Sequence, residues 1–112
     1  MNLTQSSIGT SDIVAIEGRI DATTSKDLET AVLALAANGS GSVVLDFTSV
    51  EYISSAGLRV LLIGLKTLTA KQRRMALAAL NSDVMDVVRL TGFDKLLNCY
   101  DDVDAALDAI GS

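Results

Sequence analysis

Val43-Val44-Leu45-Asp46-Phe47-Thr48-Ser49-Val50-Glu51-Tyr52-Ile53-Ser54-Ser55-Ala56-Gly57-Leu58-Arg59-Val60-Leu61-Leu62 is the stretch on which the fold of this chain turns. Residues 42–47 are almost wholly apolar, the pattern of a strand buried on both faces of a sheet. The strand is expected to end at Asp46 to Ser49. A short connection then delivers Ser54, Ser55, Ala56 and Gly57 to the start of a strongly apolar helix at about residues 56–70. The first N–H groups of a helix lack intrahelical partners and carry partial positive charge. Two serine hydroxyls thus share one electrostatically special spot, and the function is expected there.

Upstream, residues 3–8 and 13–18 read as short strands around the turn signal Gly9-Thr10-Ser11-Asp12, an antiparallel hairpin. Gly18-Arg19-Ile20-Asp21 leads into Thr23-Thr24-Ser25, hydroxyl residues suited to capping a helix. Leu28, Ala31, Val32, Leu35 and Ala36 share one face of that helix, expected over about 25–37, and Asn38-Gly39 stops it. Downstream, Met75 to Leu80 reads as a buried strand. Asn81-Ser82 caps a short helix bearing Val84, Val87, Val88 and Leu90, closed by Gly92. Leu96 to Tyr100 is the last strand, and Asp101-Asp102 open a final helix with Val103, Ala106, Leu107 and Ile110 on one face. The order β-β-α-β-α-β-α-β-α predicts an α/β fold: a mixed, mostly parallel sheet with helices packed against it. With no linker, repeat or low-complexity segment, residues 1–112 are expected to form a single domain.

The totals exclude several function classes. Hydrophobic residues make up 49% and charged residues 21%, which suits a chain that buries a core and stays soluble. No apolar run approaches the roughly 20 residues of a membrane span. The N-terminus lacks the basic start and apolar stretch of a secretory signal. The chain is therefore expected to be cytoplasmic and complete from its first residue. A net charge of −5 argues against a nucleic-acid surface, and Lys71-Gln72-Arg73-Arg74 reads as a solvated turn leading into a strand. The single Cys99 leaves no internal disulfide and reads as a small buried apolar side chain. No cofactor or metal is expected, and a monomer is the simpler expectation.

At about 100° per residue, Leu58, Leu61, Leu62, Leu65 and Leu68 form the core stripe of the helix after the two serines. Arg59 and Lys66 lie on a wet side. Ala56, Val60, Ile63 and Thr67 form a third strip roughly opposite the core, with Gly64 beside it. Either another element of the same chain covers that strip, or it docks a partner protein with Ser55 at its upper end. On the docking reading, Val60→Asp leaves the fold intact and abolishes binding.

Three roles are open to Ser54 and Ser55. Either hydroxyl suits an N-cap. A nucleophile needs a base, and the chain has no histidine and no Ser-x-x-Lys around this turn. A phosphoacceptor fits, because a phosphate at a helix start meets free N–H groups and the positive end of the dipole. It would add about −1.5 to −2 charges without unfolding the domain. Capping and phosphoacceptor roles are compatible.

Leu45-Asp46-Phe47-Thr48-Ser49-Val50 followed by Tyr52-Ile53-Ser54-Ser55-Ala56-Gly57-Leu58 resembles the signature of STAS domains, specifically the small bacterial anti-sigma factor antagonists. Gly18-Arg19-Ile20-Asp21 is similar to the family's Gly-x-Leu-Asp segment. Leu90-Thr91-Gly92-Phe93-Asp94-Lys95-Leu96 is similar to its Leu-x-Gly-Leu segment, so the resemblance covers the whole chain. The family motif reads Asp-Ser-Ser/Thr-Gly-Leu, with the Ser after the Asp phosphorylated. Aligned on Gly57-Leu58, the resemblance implies Ser55 as acceptor, with Ser54 as the alternative; Ser54 stands where the family has Asp, and Ala56 where it has Ser or Thr. Asp21 and Asp46 correspond to strand-ending acids that frame the site with Ser54, Ala56 and Gly57. Ala56, Arg59, Val60, Ile63 and Thr67 would be the partner-binding strip.

The function so implied is a partner switch and not an enzyme. Unmodified, the domain would bind an anti-sigma factor that is also a serine kinase of the histidine-kinase-like ATPase fold, releasing its sigma factor. Phosphorylation of Ser55 would break that complex, and a PP2C-type phosphatase would restore it. The alternative is an unphosphorylated STAS scaffold, or the cytosolic subunit of a transport or signalling complex.

Overall fold

The computed structural model describes residues 1–111. In chain order the elements are β1 (Asn2–Ile8), β2 (Ser11–Ile20), α1 (Ser25–Asn38), β3 (Val43–Ile53), α2 (Ser55–Ala70), β4 (Met75–Ala78), α3 (Ser82–Leu90), β5 (Asn98–Tyr100) and α4 (Val103–Ile110), with a 3-10 turn at Phe93–Lys95. The strands lie side by side in the order β1-β2-β3-β4-β5. β1 is antiparallel to β2, and every other pair is parallel. This is the expected mixed sheet.

Both faces of the sheet are covered, which is why β3 begins as an unbroken apolar run. Val43, Leu45 and Phe47 join Val14, Ile16 and Leu77 beneath α1, α2 and α3. Val44 points the other way and meets Ile13, Ala76, Ala78 and α4's Ala106 and Ile110. Each fully buried Leu, Ile, Val or Phe contributes about 1.5–3 kcal/mol relative to exposure. The far end of α4 is anchored by Ser11 and Ser42, whose hydroxyls donate to the Gly111 and Ile110 carbonyls.

β3 is longer than expected. Residues 48–53 form no separate connection; they continue the strand, paired with β2 through Glu17↔Ser49, Gly18↔Val50, Arg19↔Tyr52 and Ile20↔Ile53. The register slips between Ala15 and Glu17 and again between Gly18 and Arg19, where Gly18 takes φ 106°. These irregularities replace simple alternation: in this half of β3 only Val50 and Ile53 are buried. Period-two reading stops at such a point. β4 pairs with β3 only over Val43–Asp46, and Ala79 at φ 62° ends it before Leu80. β5 likewise begins only at Asn98, because Leu96 leaves the 3-10 turn 57% exposed. Cys99 is half-buried. Burial first, and then the Asp94 carboxylate, push its thiol up, which keeps it protonated.

Two assignments on α2 change. Leu62 and Leu65 are half-buried, and with Ala70 and Leu96 they line an apolar surface depression of about 450 Å³. The buried positions are Gly57, Leu58, Val60, Leu61, Gly64 and Leu68, because α1 packs over Val60 and Gly64, while Ala56, Ile63 and Thr67 of the strip expected opposite the core stay half-buried. Gly64 permits this contact: a Cβ there would lie 2.8 Å from Val32 Cγ1.

The basic turn before β4 is exposed at Lys71, Gln72 and Arg74 as expected, but not at Arg73. Arg73 is 9% exposed. Its Nε donates to the Gly41 carbonyl at 2.7 Å, and Nη1 donates to those of Leu35 and Ala36 at 3.1 and 3.0 Å. Lys71 Nζ donates to Ala36 at 2.9 Å. α1 has no basic residue in its own last turn, so these cations satisfy its orphan carbonyls and complement its negative end. Gly39 leaves room for the guanidinium, since a Cβ there would sit 2.8 Å from Nη2 and 2.9 Å from Asp12 Oδ2. Arg73→Met should lower stability by roughly 2–4 kcal/mol, because hydrogen bonds from a charged donor are lost in a buried setting. Urea unfolding followed by circular dichroism measures this, and a loss under about 0.5 kcal/mol would refute the tether.

Candidate functional site at the start of α2

β3 runs directly into α2 with Ser54 as the sole intervening residue. Ser54 is extended (φ −92°, ψ 173°), and its Oγ accepts the Gly57 N–H at 3.2 Å. Its own N–H donates to the Ile20 carbonyl at 2.8 Å, and its carbonyl accepts the Leu58 N–H at 3.0 Å. Ser54 is therefore the N-cap, tied to the end of β2. Ser55 is the first residue of the helix, and its side chain is exposed. The two hydroxyls that sequence alone left interchangeable have different surroundings. The N–H groups of Ser55 and Ala56 stand ahead of the first intrahelical acceptor.

Gly57 is buried where the helix start presses on the strand ends. A Cβ there would come within 2.7 Å of Ile20 Cγ2 and 2.8 Å of Ile53 Cγ1, closer than carbon atoms pack. Asp21 follows the end of β2 as expected. Its Oδ1 accepts from Thr23 Oγ1 at 2.7 Å, Thr23 N at 3.0 Å, Thr24 N at 3.1 Å and Thr24 Oγ1 at 3.2 Å. Thr24 Oγ1 also accepts the Asp21 N–H at 2.9 Å. This web shapes the turn beside Ser54. The Thr23 hydroxyl first, and then the Thr24 N–H, hold the Asp21 carboxyl below its ordinary value, slightly opposed by burial.

Asp46 does not end its strand and does not frame this site. It lies within β3 opposite Ala15 and Ala78, and its Oδ1 accepts from Thr48 N at 3.0 Å and Thr48 Oγ1 at 2.6 Å. The register places it five β2 residues from Ile20, roughly 15 Å along the strand. Thr67 is half-buried and donates its hydroxyl to the Ile63 carbonyl at 2.7 Å, a bond within its own helix. Val60 is only 5% exposed and belongs to the core, so it cannot be a free docking residue.

What stays accessible is a groove of about 300 Å³ between the first halves of α1 and α2. One side carries Ala22, Ser25, Lys26 and Glu29, the other Ala56, Arg59, Val60 and Ile63. The α2 set follows the i, i+3, i+4, i+7 spacing of a helix face, and on the other side Ser25, Lys26 and Glu29 share a face of α1 while Ala22 lies in the turn before it. The α1 side escaped sequence reading although its spacing was there to find, because nothing local says which helix it faces. A second missed feature is the Arg19 guanidinium stacked 4.3 Å from the Tyr52 ring centroid. That pair depends on the irregular β2–β3 register, so no local signal announces it. A larger depression of about 630 Å³ along the β2–β3 ribbon includes Glu17, Ser49, Glu51 and Asn81 and contains neither Ser55 nor a groove residue.

A family model described as the STAS domain matches residues 5–106. The chain belongs to the STAS domain family. BtrV of Bordetella bronchiseptica, named as a candidate anti-sigma factor antagonist, is 33% identical over 109 residues, 97% of this STAS domain chain and 94% of that protein. An anti-sigma factor antagonist structure from Mycobacterium paratuberculosis is 28% identical, with a TM-score of 0.91 over 99% of this chain and 94% of that one. A Thermotoga maritima structure, described as a candidate protein of the same kind, shares the fold at a TM-score of 0.91 and 21% identity, covering 98% of this chain and 95% of that one. In this STAS domain the departure at position 54 has a physical reading. Serine and aspartate are comparably good N-caps, so Ser54 keeps the hydrogen bond to Gly57 without a charge.

Val60→Asp should unfold the domain rather than leave it intact, because a carboxylate buried in the seam between α1 and α2 loses its solvent shell. Its amide spectrum should collapse; a native spectrum would return Val60 to the surface. Asp21 yields a pH expectation. A carboxyl with a lowered folded-state value adds stability that is full above its unfolded value, here 3.8, and lost as pH falls through the folded one. Asp21→Asn should therefore flatten the acid limb of stability against pH, measured by thermal unfolding from about pH 5 to about pH 2. An unchanged acid limb would count against that assignment.

Proposed function

We propose that this STAS domain is an anti-sigma factor antagonist that works by partner switching, with Ser55 as its modified residue. The observation that carries this reading is the division of labour at the helix start. Ser54 is occupied as the cap, while Ser55 is exposed and directly precedes Ala56, which lines a groove with Arg59 and Ile63. The class of output draws on the name of the 33% identical Bordetella relative.

In the unmodified state the groove and the α2 start bind an anti-sigma factor that is also a serine kinase of the histidine-kinase-like ATPase fold, freeing its sigma factor. The kinase uses ATP against this binding. Ser55 Oγ forms a bond to the γ-phosphorus as the bond to the β–γ bridging oxygen breaks, ADP leaves, and the hydroxyl proton passes to a base on the kinase. The product carries about −1.5 to −2 charges at the helix start, where the dipole and free N–H groups accept it without unfolding the fold. The charge and its hydration oppose docking. A PP2C-type phosphatase with its own Mn²⁺ or Mg²⁺ directs water at the phosphorus and restores the hydroxyl. The domain is thus substrate and binder rather than catalyst: with no histidine in the chain, Ser55 has no base of the usual kind.

Incubation with a candidate kinase and ATP, read by intact-protein mass, should show a gain of one phosphate. Ser55→Ala should lose it. Ser54→Ala should keep it while losing about 1 kcal/mol of stability through the missing cap. Phosphate on Ser54 would move the acceptor to the capping residue, and none with any such kinase would favour the unphosphorylated scaffold.

A further inference from the structure

Ser55 and Arg59 are four residues apart on α2. At that spacing the Cβ atoms of a helix lie about 5–6 Å apart on one face. Helical side chains lean toward the N-terminus, so the surface that Arg59 covers is the turn containing Ser55. Arg59 is exposed, and its guanidinium forms neither an ion pair nor a hydrogen bond among the described residues. Arg59 also lines the α1–α2 groove. One cation therefore serves two neighbouring places. The charged groups that line the groove with it are Lys26 and Glu29 from α1, while Asp21 follows Ile20, whose carbonyl holds the Ser54 N–H.

We infer that Arg59 couples modification to docking: when Ser55 carries a phosphate, the guanidinium turns onto it and leaves the groove. An anion at i with a cation at i+4 is the favourable order along a helix. Guanidinium and phosphate match in geometry and form charge-assisted hydrogen bonds that a lysine makes less well. Phosphorylation on this account does more than add repulsion beside the groove. It also removes the groove's α2 cation, so a single event changes the docking surface twice. Lys26 remains on the opposite wall, four residues after Ala22 and one turn before Glu29, and does not follow the phosphate.

This rests on the reading of Ser55 as the modified residue, and the test separates the two. Phosphoserine is installed at position 55 of the full chain during translation, so no kinase is needed, and its second ionisation is followed by phosphorus NMR. That ionisation ordinarily lies near about pH 6, and an adjacent guanidinium favours the dianion and lowers it. The midpoint should therefore rise by roughly half a unit in Arg59→Gln, by less in Arg59→Lys, and not at all in Lys26→Gln. The Ile63 methyl signals should shift on phosphorylation in the natural chain and stay in place in Arg59→Gln. An unchanged midpoint in Arg59→Gln, or an equal rise in Lys26→Gln, overturns the coupling. Success here with no kinase found leaves the coupling standing and removes the switching function; failure here with Ser55 phosphorylated by a kinase does the reverse.

Discussion

The structure depends on one close approach: the first turn of α2 seated against the ends of β2 and β3. Gly57 sits where even a methyl group would overlap Ile20 and Ile53, and the Ser54 N–H is held by the Ile20 carbonyl. This contact sets where the helix begins and in which direction it leaves the sheet. It also decides which serine turns inward. Once Ser54 is bound to Ile20 through its backbone and to Gly57 through its hydroxyl, the next residue along a helical path must face out. The exposure of Ser55 follows from packing two residues away.

The second constraint is the pairing of α1 with α2. Gly64 lets Val32 approach, Val60 fills the seam, and Arg73 and Lys71 reach across from the following turn to satisfy the end of α1. The groove is what remains open where the helix starts diverge, which is why its floor is Val60 and its rim is charged or small. A side chain can thus line a groove and still belong to the core. The sequence left core and docking as opposed readings of Val60; in the folded molecule the residue is sealed, while Ala56, Arg59 and Ile63 keep the surface role.

Much of the architecture was legible. The helix faces of Leu28, Val32 and Ala36 and of Val84 and Val88, the fully apolar start of β3, and the caps at Asn81 and Asp102 all repeat local rules. The misread stretches have two causes. Residues 48–53 lost their alternation to register slips imposed by β2, Leu80 and Leu96 fell outside their strands, and Arg73 found its partners some thirty-five residues upstream. The register and the Arg73 contacts depend on neighbours distant in sequence, and the positive φ of Ala79 and the 3-10 turn before Leu96 break the strand locally, so a local period carries no trace of either. Asp46 was misplaced for the first reason: its strand was expected to stop where its pairing with β4 stops.

By itself the amino-acid sequence determined the alternation of strands and helices, the apolar faces, and the presence of two hydroxyls at a helix start, because spacing and capping chemistry are properties of neighbouring residues. Only the tertiary structure decided that Ser54 is the cap and Ser55 the free hydroxyl, that α1 covers Val60, and that Arg59 borders both the groove and the turn bearing Ser55. Those outcomes turn on which surfaces meet across the fold, and the seat of Gly57 is settled by sterics against Ile20, on a strand far upstream in the sequence, as well as against Ile53.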